Sequence, residues 1–157
     1  MRIIPALVAT LVAVSPAAAQ SHPSFSGTWV MDTSKVEAGP ITPLALTMTV
    51  EQGKDTLKVK RDVKSAQGDA ATSFVYGFDG KGWRNSINAG GMQADAVSTL
   101  SWEGSVLVIS TTISVGGQEV SQVEKWTMDA SGKSMTSERT VSVGAERLST
   151  RLTLDKR

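Results

Sequence analysis

Glycine-bearing turns recur along this chain at spacings that suit short strands and leave no room for a bundle of helices. "GKD" (53–55), "SAQGDAA" (65–71), "DGKG" (79–82), "AGGMQ" (89–93), "EG" (103–104), "GG" (116–117), "ASGK" (130–133) and "GA" (144–145) punctuate it. The runs between them alternate with period two, as a strand with one buried face does. In "LALTMTVEQ" that period puts Leu44, Leu46, Met48 and Val50 on one face, and in "TSFVYGF" it does the same for Phe74, Tyr76 and Phe78. Strands joined by such short turns are antiparallel neighbours. A long meander leaves two exposed edges unless it curls on itself. The expected fold is therefore all-β: an antiparallel up-and-down meander of about ten strands forming a closed or nearly closed barrel. A two-sheet sandwich is the alternative. Between the first two runs, "TSKVEAGPITP" (33–43) carries Pro40 and Pro43 and is read as a loop without a long helix.

The chain opens on "MRIIPALVATLVAVSPAAAQ", with Arg2, an apolar run from Ile3 to Val14, and Ala17-Ala18-Ala19. This charged, apolar, small-residue order is that of a secretory signal peptide. The run is too short to span a bilayer, which takes roughly 20 apolar residues. Residues 1–19 are thus expected to be removed near Gln20, with 20–24 a mobile tail and 25–157 a single domain. Export implies a periplasmic or secreted protein with no integral membrane segment after cleavage. The absence of cysteine excludes disulfides, thiolate metal sites and a lipid-modified N-terminal Cys. Without Arg2 the 16 basic residues fall to 15, balancing 15 acidic ones, so no basic excess points to nucleic acid or anionic lipid. An outer-membrane barrel needs aromatic girdles and an apolar outer band. The few Phe, Tyr and Trp residues, the outer-facing Thr, Ser, Lys and Glu, and the charged "LDKR" end oppose that reading.

"FSGTW" (25–29) begins the first strand. Phe25, Gly27, Trp29 and Met31 share its apolar face, and a Trp pointing inward near the end of a small barrel can plug the floor. Gly27, lacking a side chain, lets another group lie against its backbone. The segment resembles the Gly-x-Trp signature of lipocalin-like barrels. Further on, "WEGSVLVIS" (102–110), "EKWTM" (124–128) and "SGKSMTSERT" (131–140) are similar, in order and layout, to exported bacterial lipocalin-like proteins of unassigned function. The resemblance implies a barrel that binds a small molecule. It also implies an Arg from the last strands packed across Trp29, for which Arg139, Arg147 and Arg151 are candidates. Period two points Arg147 and Arg151 outward and Arg139 inward.

One charged pair stands out. If Met128 faces Met135 across "ASGK", then Trp126 faces Ser137 and Glu124 faces Arg139, with both charges on the apolar side. Buried charges are costly unless paired, so the pair either fixes strand register or presents Arg139 to a ligand carboxylate. A second group is aromatic: across "DGKG", Phe78 is expected beside Trp83 and Tyr76 beside Asn85. The candidate ligand-binding residues are Phe74, Tyr76, Phe78, Trp83, Glu124, Trp126 and Arg139, with Gly27 and Trp29 structural. No catalytic, metal or cofactor site is expected: the single histidine, His22, lies in the tail, and no nucleophile has a visible base. The reading is a monomeric, exported, non-enzymatic barrel for a small apolar or amphipathic molecule, since barrel mouths are common ligand sites. The alternative is a periplasmic protein-interaction or protease-inhibitor-like module acting through "QSHPS" (20–24) and the 33–43 loop.

Overall fold

The computed structural model describes residues 22–157 apart from 38, 90 and 91. The expected leader, its cleavage point, and parts of the tail and of the 89–93 turn lie outside the described residues. Ten strands follow one another: β1 (Gly27–Met31), β2 (Ala45–Gln52), β3 (Thr56–Lys64), β4 (Ala70–Gly77), β5 (Trp83–Ala89), β6 (Met92–Glu103), β7 (Val106–Val115), β8 (Gln118–Met128), β9 (Ser134–Val143) and β10 (Glu146–Lys156). They form one sheet in the order β4-β3-β2-β1-β10-β9-β8-β7-β6-β5, with every neighbouring pair antiparallel. The meander closes where β1 meets β10, with Trp29 opposite Lys156 and Met31 opposite Leu154. A barrel is what the turn spacing implied, and the described strands all belong to this one sheet.

β4 and β5 lie at the two ends of the sheet order although they are consecutive in the chain. "DGKG" therefore does not make the tight hairpin read from its sequence. The strands part after it, and side chains span the seam instead. The Asn85 side-chain amide accepts from Val75 N at 2.8 Å and donates to Val75 O at 2.9 Å, doing the work of a peptide group. The Trp83 indole lies against Gly77 so closely that a Cβ there would collide with it, and its Nε1 donates to Asp79 Oδ1 at 3.0 Å. The register expected across this turn, Phe78 beside Trp83 and Tyr76 beside Asn85, has no ladder to hold it.

The two ends of the barrel differ. At the floor, the inward face is filled by Phe25, Trp29, Leu57, Leu107, Trp126, Met135 and Leu154, all fully buried. Trp29 closes this end, with Nε1 donating to Phe25 O at 2.8 Å. The cation across its ring is the Lys156 ammonium at 5.2 Å, so none of the three arginines suggested by the resemblance takes that place. The Lys156 stem runs over Gly27, where a Cβ would lie 2.6 Å from its Cε, and Gly27 itself sits at φ +135, a region open to glycine. Both observations explain a glycine two residues before the tryptophan. At the other end, the mouth, inward-facing Val63, Ile87 and Ile113 are only partly buried. β1 is much shorter than its neighbours, so residues 32–44 bridge the mouth as a strap. It begins with a 3-10 turn, Thr33–Lys35, capped by Asp32.

Candidate functional site

The interior of the barrel holds a charged cluster halfway between floor and mouth. The β8–β9 register pairs Met128 with Met135, Trp126 with Ser137, and Glu124 with Arg139. Period two then sends Glu124, Trp126 and Arg139 to the inside. Glu124 is almost fully enclosed, and its nearest cation is not Arg139. Arg61, projecting from β3 on the opposite wall, places Nη2 2.8 Å from Glu124 Oε2, while Arg139 Nη2 stands 3.6 Å from the same oxygen. The other carboxylate oxygen accepts from Trp126 Nε1 at 2.7 Å and from Ser137 Oγ at 2.8 Å. The Arg61 guanidinium also lies 5.8 Å from the centre of the Trp126 ring.

The electrostatics follow from this arrangement. Burial alone would raise the Glu124 pKa, but Arg61, then Arg139, and the Trp126 and Ser137 hydrogen bonds overcome it and hold the carboxyl down to about 2. Arg61 is raised: burial opposes its charge, but Glu124 and Tyr76 outweigh it. Arg139 moves the other way. Glu124 favours its charge most strongly, yet burial and repulsion from Arg61 together lower it. Burial pushes the Tyr76 hydroxyl up to about 12, with Arg61 pulling against it. One carboxylate thus serves two guanidiniums, and the cation left over is on the Arg139 side. Arg61 Nε and Arg139 Nε have no hydrogen-bond partner among the described residues.

Arg139 forms part of the wall of a cavity of about 360 Å³ at the mouth. Pro40, Ile41 and Pro43 of the strap, Leu46, Val63 and Leu152 supply its apolar surface. Thr42, Ser65, Gln67 and Thr150 add polar groups near Arg139. The strap is held to β10, the neighbour of β1, by the Thr42 and Thr150 hydroxyls, 3.3 Å apart. Such a space, part apolar and part polar with one cation in its wall, suits a small molecule with a polar end.

Of the residues read from the sequence, Arg139 alone lines this cavity. Glu124, Trp126 and Tyr76 belong to the buried cluster that supports it. Phe74 stacks on Tyr76, with centroids 5.7 Å apart, and serves the core. Trp83 seals the seam, and Phe78 turns to the floor, where it packs parallel to Trp102 at 6.2 Å. Arg61 was not among the candidates. Its place between Val59 and Val63 on the apolar face of β3 was the available signal, since period two sends a charge inward there. The His22 ring stacks on Trp102 at 4.1 Å, and Nδ1 donates to Gly104 O at 3.2 Å. Among the described residues, no group of three or more His, Cys, Asp or Glu side chains is placed to hold a metal ion.

No protein-family model matches the chain, and no curated protein matches it. Solved structures do. Secretory abundant heat soluble protein 4 from Ramazzottius varieornatus aligns over 84% of this chain and 94% of its own, with 16% identity and a TM-score of 0.50. A second secretory abundant heat soluble protein from that organism aligns over 88% and 98%, with 8% identity and a TM-score of 0.52. A Schistosoma mansoni fatty acid binding protein in complex with arachidonic acid covers 85% of this chain and 96% of its own, at 12% identity and a TM-score of 0.49. At these identities the likeness of the first two speaks to the fold alone, an antiparallel β-barrel.

Proposed function

We propose that this protein is an exported, monomeric carrier that holds a small amphipathic anion in its mouth cavity. The apolar tail lies under the strap, and the head meets Arg139. One observation carries the reading: two guanidiniums share a single buried carboxylate, and the less satisfied of them borders an otherwise mainly apolar cavity. Arg139 is partly open to the cavity and shares its carboxylate with Arg61, and a ligand carboxylate is the group that would complete its pairing. The cluster is built for binding and not for turnover: the Glu124 carboxylate is locked between cations, far from the range of a general base. The leader read from residues 1–19 supports a place in the periplasm or outside the cell, with the mature chain starting near Gln20.

The test compares decanoate with decanol by calorimetric titration of the native chain and of Arg139→Gln. The variant leaves the Arg61–Glu124 pair intact and electrically balanced, so it folds. Decanoate affinity is expected to fall about 10-fold to 100-fold, the worth of a hydrogen bond to a charged group, while decanol binding stays the same. Equal loss for both probes, or no binding of either, overturns the reading. Protein sequencing of the exported form is expected to begin near Gln20, and an intact Met1 form in the soluble envelope fraction would contradict export with cleavage.

A further inference from the structure

The floor carries a second concavity, of about 460 Å³, on the outside of the barrel and at the opposite end from the mouth. His22, Lys54, Phe78, Ser101 and Trp102 line it, together with the bare turns at Gly53 and Gly80. A Cβ at Gly80 would touch nothing within 4 Å, so this turn leaves the slot open.

Three features set the slot apart from ordinary surface. The first is the Trp102 plate. Phe78 lies nearly parallel to it, at 9°, and Phe25 at 22°. The second is an unused donor. The indole N–H groups of Trp29, Trp83 and Trp126 each donate to a named oxygen, whereas no acceptor among the described residues takes that of Trp102. The third is an unused charge. Lys54 sits on the β2–β3 turn at the slot's edge, and no carboxylate among the described residues pairs with it. Trp102, Ser101 and Lys54 line one space.

What now occupies the plate is the His22 ring, stacked at 4.1 Å with only 6° between planes. That is the geometry of a bound planar ring. Its tether is one hydrogen bond from its own side chain and one from Gln52 Nε2 to Pro23 O at 3.3 Å, and the chain is anchored beyond them at buried Phe25, whose N–H donates to Gln52 Oε1 at 2.8 Å. His22 itself is exposed.

We propose that this slot is a second ligand site, specific for a planar aromatic ring bearing a carboxylate, and that His22 holds the place until the ligand arrives. The incoming ring stacks on Trp102 in place of the imidazole, and its carboxylate meets Lys54. Because His22 must leave first, the slot's apparent affinity is reduced by the fraction of time it is covered. The site does not depend on the mouth cavity or on Arg139.

The test is calorimetric titration of the full chain with 2-naphthoate, with and without saturating decanol. Lys54→Glu, on an exposed turn, is expected to weaken 2-naphthoate about fivefold, the scale of an exposed ion pair. His22→Ala is expected to tighten it about threefold by uncovering the plate. Trp102→Leu is expected to weaken it roughly tenfold or more, as loss of an aromatic stacking partner does. Decanol is expected not to compete. If Lys54→Glu and His22→Ala leave the affinity unchanged, or decanol displaces 2-naphthoate, the slot is a structural seat for His22 and the proposal fails. Neither variant touches the barrel interior, so misfolding does not cloud the result.

Discussion

At the scale of residues, the charged cluster makes an asymmetric prediction. Glu124→Gln leaves Arg61 and Arg139 facing each other without an anion, and is expected to cost about 3–5 kcal/mol. Arg61→Met leaves Glu124 with Arg139 and a neutral interior, so its cost is expected to be smaller by at least about 1 kcal/mol. Urea denaturation midpoints of the two variants decide it, and equal costs would mean that Arg139 carries no share of the carboxylate. Trp29→Ala removes the floor plug and is expected to cost about 3–5 kcal/mol, as truncation of a buried aromatic does. An unchanged midpoint would show that the floor packs without that ring. Gly27→Ala combines a positive φ with the Lys156 stem and is expected to cost about 1–2 kcal/mol.

At the scale of elements, the seam between β4 and β5 is the place where the barrel is held by side chains and not by a ladder. The Asn85 amide satisfies both backbone groups of Val75. Asn85→Ala leaves them without that partner, and is expected to cost about 1–3 kcal/mol. The loss has a location as well as a size. Amide exchange should quicken along β4 and β5 and stay slow in β7, β8 and β9, whose ladders are untouched. A uniform rise over the whole sheet would show that the seam is not a separate unit of stability. The turn residues of "DGKG" carry no sign of this parting. It follows from Gly77 and Trp83 meeting across the gap, which brings an indole where a neighbouring strand would lie.

At the scale of the whole molecule, pH acts through the cluster. Glu124 ionises at about 2 in the fold, against an ordinary value of 4.5. Its contribution is complete above about 4.5 and is lost as pH falls towards 2, because the unfolded chain takes up the proton first. Stability should therefore drop between those values, and Glu124→Gln should flatten that part of the profile; an unaltered slope would place the acid sensitivity elsewhere. The sequence by itself determined an antiparallel meander of about ten strands and, along most of them, the faces. Short glycine turns favour antiparallel neighbours, and period two decides which side each residue takes, so the β8–β9 register and the inward Glu124 and Arg139 were legible. It could not reveal that Arg61, 63 positions before Glu124, is the closer partner. Nor could it show that the seam falls after "DGKG", that Lys156 covers Trp29, or that His22 reaches Trp102. Those pairings depend on how far the sheet curls, which no local pattern encodes: only the nearly closed barrel brings β3 opposite β8, and His22 and Lys156 to one floor.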